Sequence, residues 1–216
     1  MTESPVEKTK EKPTLTDKLR IKAVVVIDPI VTFLARYRLS PDTLTVMGML
    51  SHFLLAYLIA IGQMTWAGIA MAILAPLDAL DGALARKLGR KQGGFGAFLD
   101  STLDRLAEII LFGGFIYYYL QTGDLLMLGL SYVAVTGSLM VSYTRSKAES
   151  LNMSAKGGIL SRVERYVLML ALLILNQPDL AVVILAVFTY VTVGQRMYLV
   201  WRQYFHADDG SGTSED

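Results

Sequence analysis

The chain of 216 residues has no cysteine and only two histidines, and charged residues make up just 18% of it. Without thiols there is no disulfide framework and no cysteine-ligated zinc or iron–sulfur site. A net charge of +1 excludes a nucleic-acid binder that works through bulk charge. Charge is scarcest in three long stretches. Residues 43–77 carry no Asp, Glu, Lys or Arg, residues 109–144 carry only Asp124, and residues 166–195 carry only Asp179. Apolar side chains fill the space, at 53% of the chain without counting glycine. Soluble domains reach only about 45–50% with glycine included, and about 25% charge. That balance excludes disorder for the bulk of the chain and points to a small membrane domain.

Each uncharged stretch is too long for one spanning helix of about 20 residues. Each also has a polar break near its middle: Gly62 to Thr65, Gln121 to Asp124, and Asn176 to Asp179. The pattern predicts three helical hairpins, hence six spans near 42–61, 66–87, 95–120, 125–148, 158–175 and 180–201. None of the three breaks contains Lys or Arg, so all twenty basic residues fall on or just inside one face. The positive-inside rule puts that face, and both termini, on the cytoplasmic side of the cell membrane. The first 22 residues hold no apolar core of a secretory signal. Residues 1–13 and 204–216 read as solvated tails, and 14–40 as a juxtamembrane segment in which basic and apolar residues mix. The expected architecture is therefore an all-α integral membrane protein. Six transmembrane helices (41–203) follow an N-terminal amphipathic helix interrupted at Asp28-Pro29.

Acids inside a membrane are expensive, at about 2.5–3.5 kcal/mol each on insertion scales. The second span nevertheless carries Asp78 and Asp81, and the third carries Asp100 and Asp104. Spacings of three and four residues put each pair on one helix face. Counted from the hairpin tips at about 1.5 Å per residue, both pairs reach the same level, near the basic face. Four facing carboxylates with no His or Cys in the stretch suit a hard divalent cation, Mg²⁺ or Mn²⁺, over zinc. The link from Arg86 to Gly96 is rich in glycine and base, which lets backbone amides approach an anion near a helix start. Metal, arginine and amides together fit a phosphate or pyrophosphate ligand.

Written out, Asp78, Asp81-Gly82, Ala85-Arg86, Gly96, Asp100 and Asp104 stand at a spacing that resembles the signature of the CDP-alcohol phosphatidyltransferases. The gap from Arg86 to Gly96 is nine residues, one more than the family usually has. The resemblance implies a six-helix membrane enzyme in which Asp78, Asp81, Asp100 and Asp104 hold two divalent ions. It implies that Gly82, Ala85, Arg86 and Gly96 line the nucleotide pocket of CDP-diacylglycerol, and that Asp104 takes the proton of an incoming alcohol. Asp42 and Thr45 lie in a Pro-Asp-x-x-Thr element similar to one in the family that touches the nucleotide end. The family also implies a homodimer.

A second basic cluster bears on the alcohol. Arg145 and Lys147 end the fourth span, and Arg162 and Arg165 begin the fifth, so they can converge on a phosphate carried by the acceptor. This region resembles the phosphatidylinositol phosphate synthases within the family, down to a late Gln195-Arg196. The expected acceptor is a phosphorylated polyol, inositol 1-phosphate first, with glycerol 3-phosphate as the alternative. A cation- or proton-coupled transporter is the rival from another class, since buried acids also mark ion pathways. Clustering of the acids toward one side favours the enzyme, because transport sites sit near the midplane. Of the remaining polar residues, His52 reads as packing. Glu108 has three readings: it pairs with Arg105, orients a metal ligand or faces the acceptor. Pro76 is expected to kink the second span.

Overall fold

The computed structural model describes residues 28–89, 94–155 and 157–208, apart from the side chains of residues 78, 79 and 206–208. Among the described residues there are eight helices and no strand. Helix α1 covers residues 28–36. It is followed by α2 (Pro41–Ala60), α3 (Met64–Leu74), α4 (Pro76–Lys87) and α5 (Gly94–Thr122). The rest of the bundle is α6 (Leu125–Ser150), α7 (Arg162–Ile174) and α8 (Pro178–Asp208). By length and composition α2, α6 and α8 can each cross a membrane, and α3 is a shorter apolar helix. Large apolar side chains such as Phe53, Ile73, Tyr132 and Phe188 are exposed on the outer faces. Such a surface is an anomaly in water and the expected one in lipid.

The three polar breaks are the turns of three hairpins. Each passes through a left-handed residue: Gly62 (φ 77°), Gly123 (φ 78°) and Asn176 (φ 55°). Glycine and asparagine tolerate that conformation best, so the helices end there. The two lone acids of the uncharged stretches have structural work at these turns. Asp124 caps α6 by accepting from the Met127 amide at 3.0 Å. Asp179 accepts from the Tyr119 hydroxyl at 2.6 Å, tying the second turn to the third. Gln121 donates to the Ala60 carbonyl (3.2 Å) and Thr65 to the Ile174 carbonyl (3.4 Å), so all three turns sit together at one end. The conserved direction of the chain then brings the starts of α2, α5 and α7 and the ends of α4, α6 and α8 to the opposite end.

Each hairpin packs on the other two, chiefly through α2 with α5, α3 with α7 and α6 with α8. Each of those pairs closes on a glycine. A Cβ at Gly114 would lie 2.5 Å from the Ala56 carbonyl oxygen, one at Gly68 2.6 Å from the Ile174 nitrogen, and one at Gly137 2.1 Å from Thr189 Oγ1. Small residues allow such close crossing, which is how helices associate where lipid removes the hydrophobic drive. Leu55, Ile59, Met71, Phe115, Leu173 and Leu185 fill the centre.

Two departures from the expected spans matter for the site. The stretch expected as the second span is two helices, with Pro76 in the first turn of α4 and Ala75 between them in helical conformation (φ −49°, ψ −38°), where proline interrupts the hydrogen-bond ladder. The fifth span was expected from residue 158, yet α7 starts at Arg162, where Ser161 and Glu164 form a capping box. The segment before it turns through Gly158 (φ 126°), where a Cβ would meet Thr192 Cγ2 at 2.5 Å. Helix α1 packs Val31 against Leu44, Leu80 and Leu84 and is strapped to the end of α4 by the Asp28–Lys87 ion pair (3.0 Å). The part of the juxtamembrane segment before residue 28, the expected tail 1–13, residues 209–216 of the expected tail 204–216 and the basic link 90–93 lie outside the described residues, while residues 204–208 continue α8 where a tail was expected.

Candidate functional site

The end of the bundle opposite the hairpin turns gathers nearly every residue singled out in the sequence. Ser40 precedes α2 in extended conformation and Pro41 opens the helix, which places Asp42 in its first turn and Thr45 one turn on. The Thr45 hydroxyl donates to Asp81 Oδ2 at 2.8 Å, linking α2 to α4 across 36 residues of sequence. One turn before Thr45, Asp42 Oδ1 would lie 3.6 Å from a Cβ at Gly96, at the start of α5. The first turns of α2 thus stand between the two acid-bearing helices. Arg86 is exposed at the end of α4, its guanidinium 3.5 Å from where a Gly82 Cβ would be. Ala85 is half-buried one residue before it.

Asp81 and Asp104 are buried, 7% and 8% exposed, and Asp100 is half-buried. The Asp78 side chain lies outside the described residues. Among the described side chains no group of three or more His, Cys, Asp or Glu stands close enough to hold a metal ion, so Asp81, Asp100 and Asp104 do not form a complete cage by themselves. The donors are nevertheless all hard oxygens, with the Thr45 hydroxyl beside them. His52 lines the cavity that Asp104 also lines, with its Nδ1 2.9 Å from the Gly48 carbonyl of its own helix. That chemistry fits a magnesium- or manganese-like ion.

Beside the acids lie the cations. Arg162 Nη2 donates to Asp104 Oδ1 at 2.5 Å, and Arg105 Nη2 donates to Asp104 Oδ2 at 3.4 Å. Arg165, only 4% exposed, donates to Glu108 Oε1 at 2.7 Å. The late start of α7 makes this possible. Asp104 is ten residues into α5, about 15 Å from its beginning, and a helix starting level with α5 would leave its first arginines short of the acids. The linker before α7 is held in place by α8. The Ile159 amide donates to Gln195 (3.1 Å), the Leu160 amide to Thr192 (3.2 Å), and Arg196 Nε to the Gly157 carbonyl (3.0 Å). Asp104, Glu108, Arg162 and Arg165 line one wall of a cavity of about 50 Å³ that runs on between α2, α3 and α6.

The four cations expected to converge divide into two pairs. Arg162 and Arg165 meet the acids at the cavity. Arg145 instead pairs with Glu149 at 2.9 Å, with both side chains about half exposed. Lys147 is exposed and lines an outer groove between α6 and α8. Between the pairs sits Arg196, buried at 4% exposure and within electrostatic reach of both Arg145 and Arg165. Glu108 takes Arg165 as partner, while Arg105 turns to Asp104. Arg196 was visible in the sequence only as part of a resemblance, since a single arginine late in an apolar stretch gives no sign of burial.

The geometry has counterparts among known proteins. The family model for CDP-alcohol phosphatidyltransferases matches residues 38–195. The archaetidylinositol phosphate synthase of Pyrococcus horikoshii is 36% identical over 186 residues, covering 85% of this chain and 95% of that protein. The phosphatidylinositol phosphate synthase of Mycobacteroides abscessus is 33% identical over 186 residues, covering 81% and 83%. Crystal structures of the phosphatidylinositol phosphate synthase of Mycobacterium tuberculosis also match. One with CDP-DAG bound is 27% identical with a TM-score of 0.76, covering 82% of this chain and 94% of that one. Another, in complex with manganese and citrate, is likewise 27% identical with a TM-score of 0.76, covering 81% and 88%. A family match that spans residues 38–195, most of the chain, makes the protein a member of the CDP-alcohol phosphatidyltransferase family.

Proposed function

We propose that the enzyme moves the phosphatidyl group of CDP-diacylglycerol to a hydroxyl of a phosphorylated polyol, inositol 1-phosphate, releasing CMP and forming phosphatidylinositol phosphate. The observation that carries this reading is the Asp104–Arg162 ion pair. It ties the carboxylate end of the site to the cations of α7, so a proton acceptor and a phosphate-binding guanidinium stand one contact apart. An acceptor that rests its phosphate on Arg162 and Arg165, with Arg145 and Lys147 on the approach, presents its hydroxyls toward Asp104. An alcohol without a phosphate has no use for two such arginines. The inositol-linked names of the relatives from Pyrococcus horikoshii and Mycobacteroides abscessus support the choice of polyol.

Asp42, Thr45, Gly82, Ala85, Arg86 and Gly96 take the nucleotide end of the CDP-lipid, the small residues making room and Arg86 supplying charge. Asp78, Asp81, Asp100 and Asp104 hold two divalent ions, Mg²⁺ or Mn²⁺, which when bound neutralise charge on the attacking and leaving oxygens. Asp104 accepts the hydroxyl proton as the acceptor oxygen bonds to the lipid-side phosphorus. The bond from that phosphorus to the CMP oxygen breaks, and CMP leaves with the electron pair. The helices of residues 41–203 form six spans, α3 and α4 counting as one, with the site and both termini on the cytoplasmic side and the enzyme working as a homodimer. The absence of Lys and Arg from all three hairpin turns supports that orientation.

The test is CMP release by purified protein with Mg²⁺ and CDP-diacylglycerol, comparing inositol 1-phosphate, glycerol 3-phosphate and unphosphorylated inositol. Release with inositol 1-phosphate alone is the expected result. Release with glycerol 3-phosphate alone overturns the acceptor, and release with unphosphorylated inositol as efficient as with its phosphate overturns the arginine subsite.

A further inference from the structure

The Glu108–Arg165 pair is incomplete on both sides. Arg165 donates Nη2 to Glu108 Oε1 at 2.7 Å and Nη1 to the Leu160 carbonyl at 3.3 Å. Among the described residues, the buried Arg165 Nε and Glu108 Oε2 have no hydrogen-bond partner. Arginine–carboxylate pairs frequently close side-on, with two parallel N–H···O bonds that use both carboxylate oxygens. Here a single bond is made, which leaves one donor and one acceptor of the same ion pair unmatched, and both residues line the cavity that Asp104 and Arg162 line too. Buried polar atoms are almost always satisfied, and leaving a charged one unsatisfied is costly. A group that both accepts and donates therefore suits this position.

The open atoms describe that group. It must accept from Nε and donate to Oε2, and a hydroxyl does both with one oxygen. A phosphate oxygen cannot donate, an ammonium cannot accept, and an apolar chain satisfies neither. Glu108 stands one helical turn beyond Asp104 on α5, about 5.4 Å along the axis. A small polyol can offer one hydroxyl to each acid. We propose that Glu108 and Arg165 form a polyol-reading subsite that binds a second, non-reacting hydroxyl of the acceptor, with Glu108 as the residue that selects for it. This rests on the acceptor class proposed above. Arg165 then has two duties: Glu108 and Leu160 hold one N–H of each Nη, leaving the other Nη N–H groups for the acceptor phosphate, and Nε serves the hydroxyl.

The experiment measures kcat and KM for CMP release with inositol 1-phosphate and with a series of monodeoxy inositol 1-phosphates, in the wild-type enzyme and in Glu108→Gln. In the wild type, one deoxy analogue is expected to lose about 10- to 100-fold in kcat/KM, the worth of one hydrogen bond to a charged group. In Glu108→Gln, the KM for inositol 1-phosphate rises by a similar factor and the penalty for that analogue shrinks to within about threefold, while the KM for CDP-diacylglycerol stays as in the wild type. A variant with wild-type KM and undiminished discrimination overturns the subsite and leaves the open atoms to water. If the variant does not fold, the wild-type series decides alone, because tolerance of every deoxy analogue within threefold overturns the proposal. No CMP release by the wild type with any phosphorylated polyol overturns the acceptor reading itself, which separates the two failures.

Discussion

Thr45 ties α2 to the acid of α4, and its hydroxyl can be removed without changing its shape. Thr45→Val is nearly isosteric and deletes the 2.8 Å bond to Asp81 Oδ2. Hydrogen bonds to charged groups contribute about 1.5–3 kcal/mol. The same hydroxyl also lies 3.2 Å from the Pro41 carbonyl, so its one proton is shared and the lower end of that range applies. A loss of about 1.5–2 kcal/mol corresponds to about 10- to 30-fold in an equilibrium or specificity constant. Asp81 is 7% exposed, so water compensates little. The loss belongs to the CDP-lipid and metal side of the site: kcat/KM for CDP-diacylglycerol and the Mg²⁺ concentration for half-activation both shift by about that factor, while the acceptor KM does not. Steady-state CMP release with each component varied in turn reads all three. Thr45→Ser keeps the hydroxyl and is expected to stay within about threefold of wild type. Wild-type constants in Thr45→Val refute the reasoning, and equal damage from valine and serine shows that packing of the methyl group, not the hydrogen bond, is what matters.

Two further substitutions probe other layers. Asp104→Asn keeps the shape of the side chain and removes its proton-accepting charge, so kcat falls by about 10²- to 10⁴-fold with CDP-lipid binding largely spared; an unchanged kcat removes Asp104 as the base. Gly114→Ala puts a methyl group 2.5 Å from the Ala56 carbonyl oxygen, a backbone atom that cannot rotate away, so α2 and α5 must part. The expected loss is about 1–3 kcal/mol of stability, read as a lower Tm in detergent. An unchanged Tm shows that the two helices are not in contact there.

Much of this arrangement was legible because charge is so rare. Breaks at Gly62, Gly123 and Asn176 mark the hairpin turns, since a glycine or asparagine inside an apolar stretch has few other uses. The acids on α4 and α5 stand out for the cost of placing them there. What the sequence hid is how faces meet. A helix such as α2 is apolar toward both lipid and core, so its periodicity carries almost no information about which side is buried. The close contacts at Gly68, Gly114 and Gly137 could not be read for that reason. The partner of Glu108 was equally hidden, because Arg105 is near in sequence while Arg165 arrives from 57 residues away. That pairing follows from the recessed start of α7, which depends on how the Gly157-Gly158 turn packs against Thr192, Arg196 and Leu199.

The central claim is that the arginine pair on α7, Arg162 exposed and Arg165 buried, delivers a phosphorylated polyol to the acids of α4 and α5. Its most direct test labels the acceptor: inositol 1-phosphate carrying radioactive phosphorus is incubated with the enzyme, Mg²⁺ and CDP-diacylglycerol, and the lipid phase is counted for label. The account predicts phosphate-retaining lipid product in amounts equal to the CMP released. CMP release with no label in the lipid would contradict it, because the phosphatidyl group would then have passed to something other than the phosphorylated acceptor.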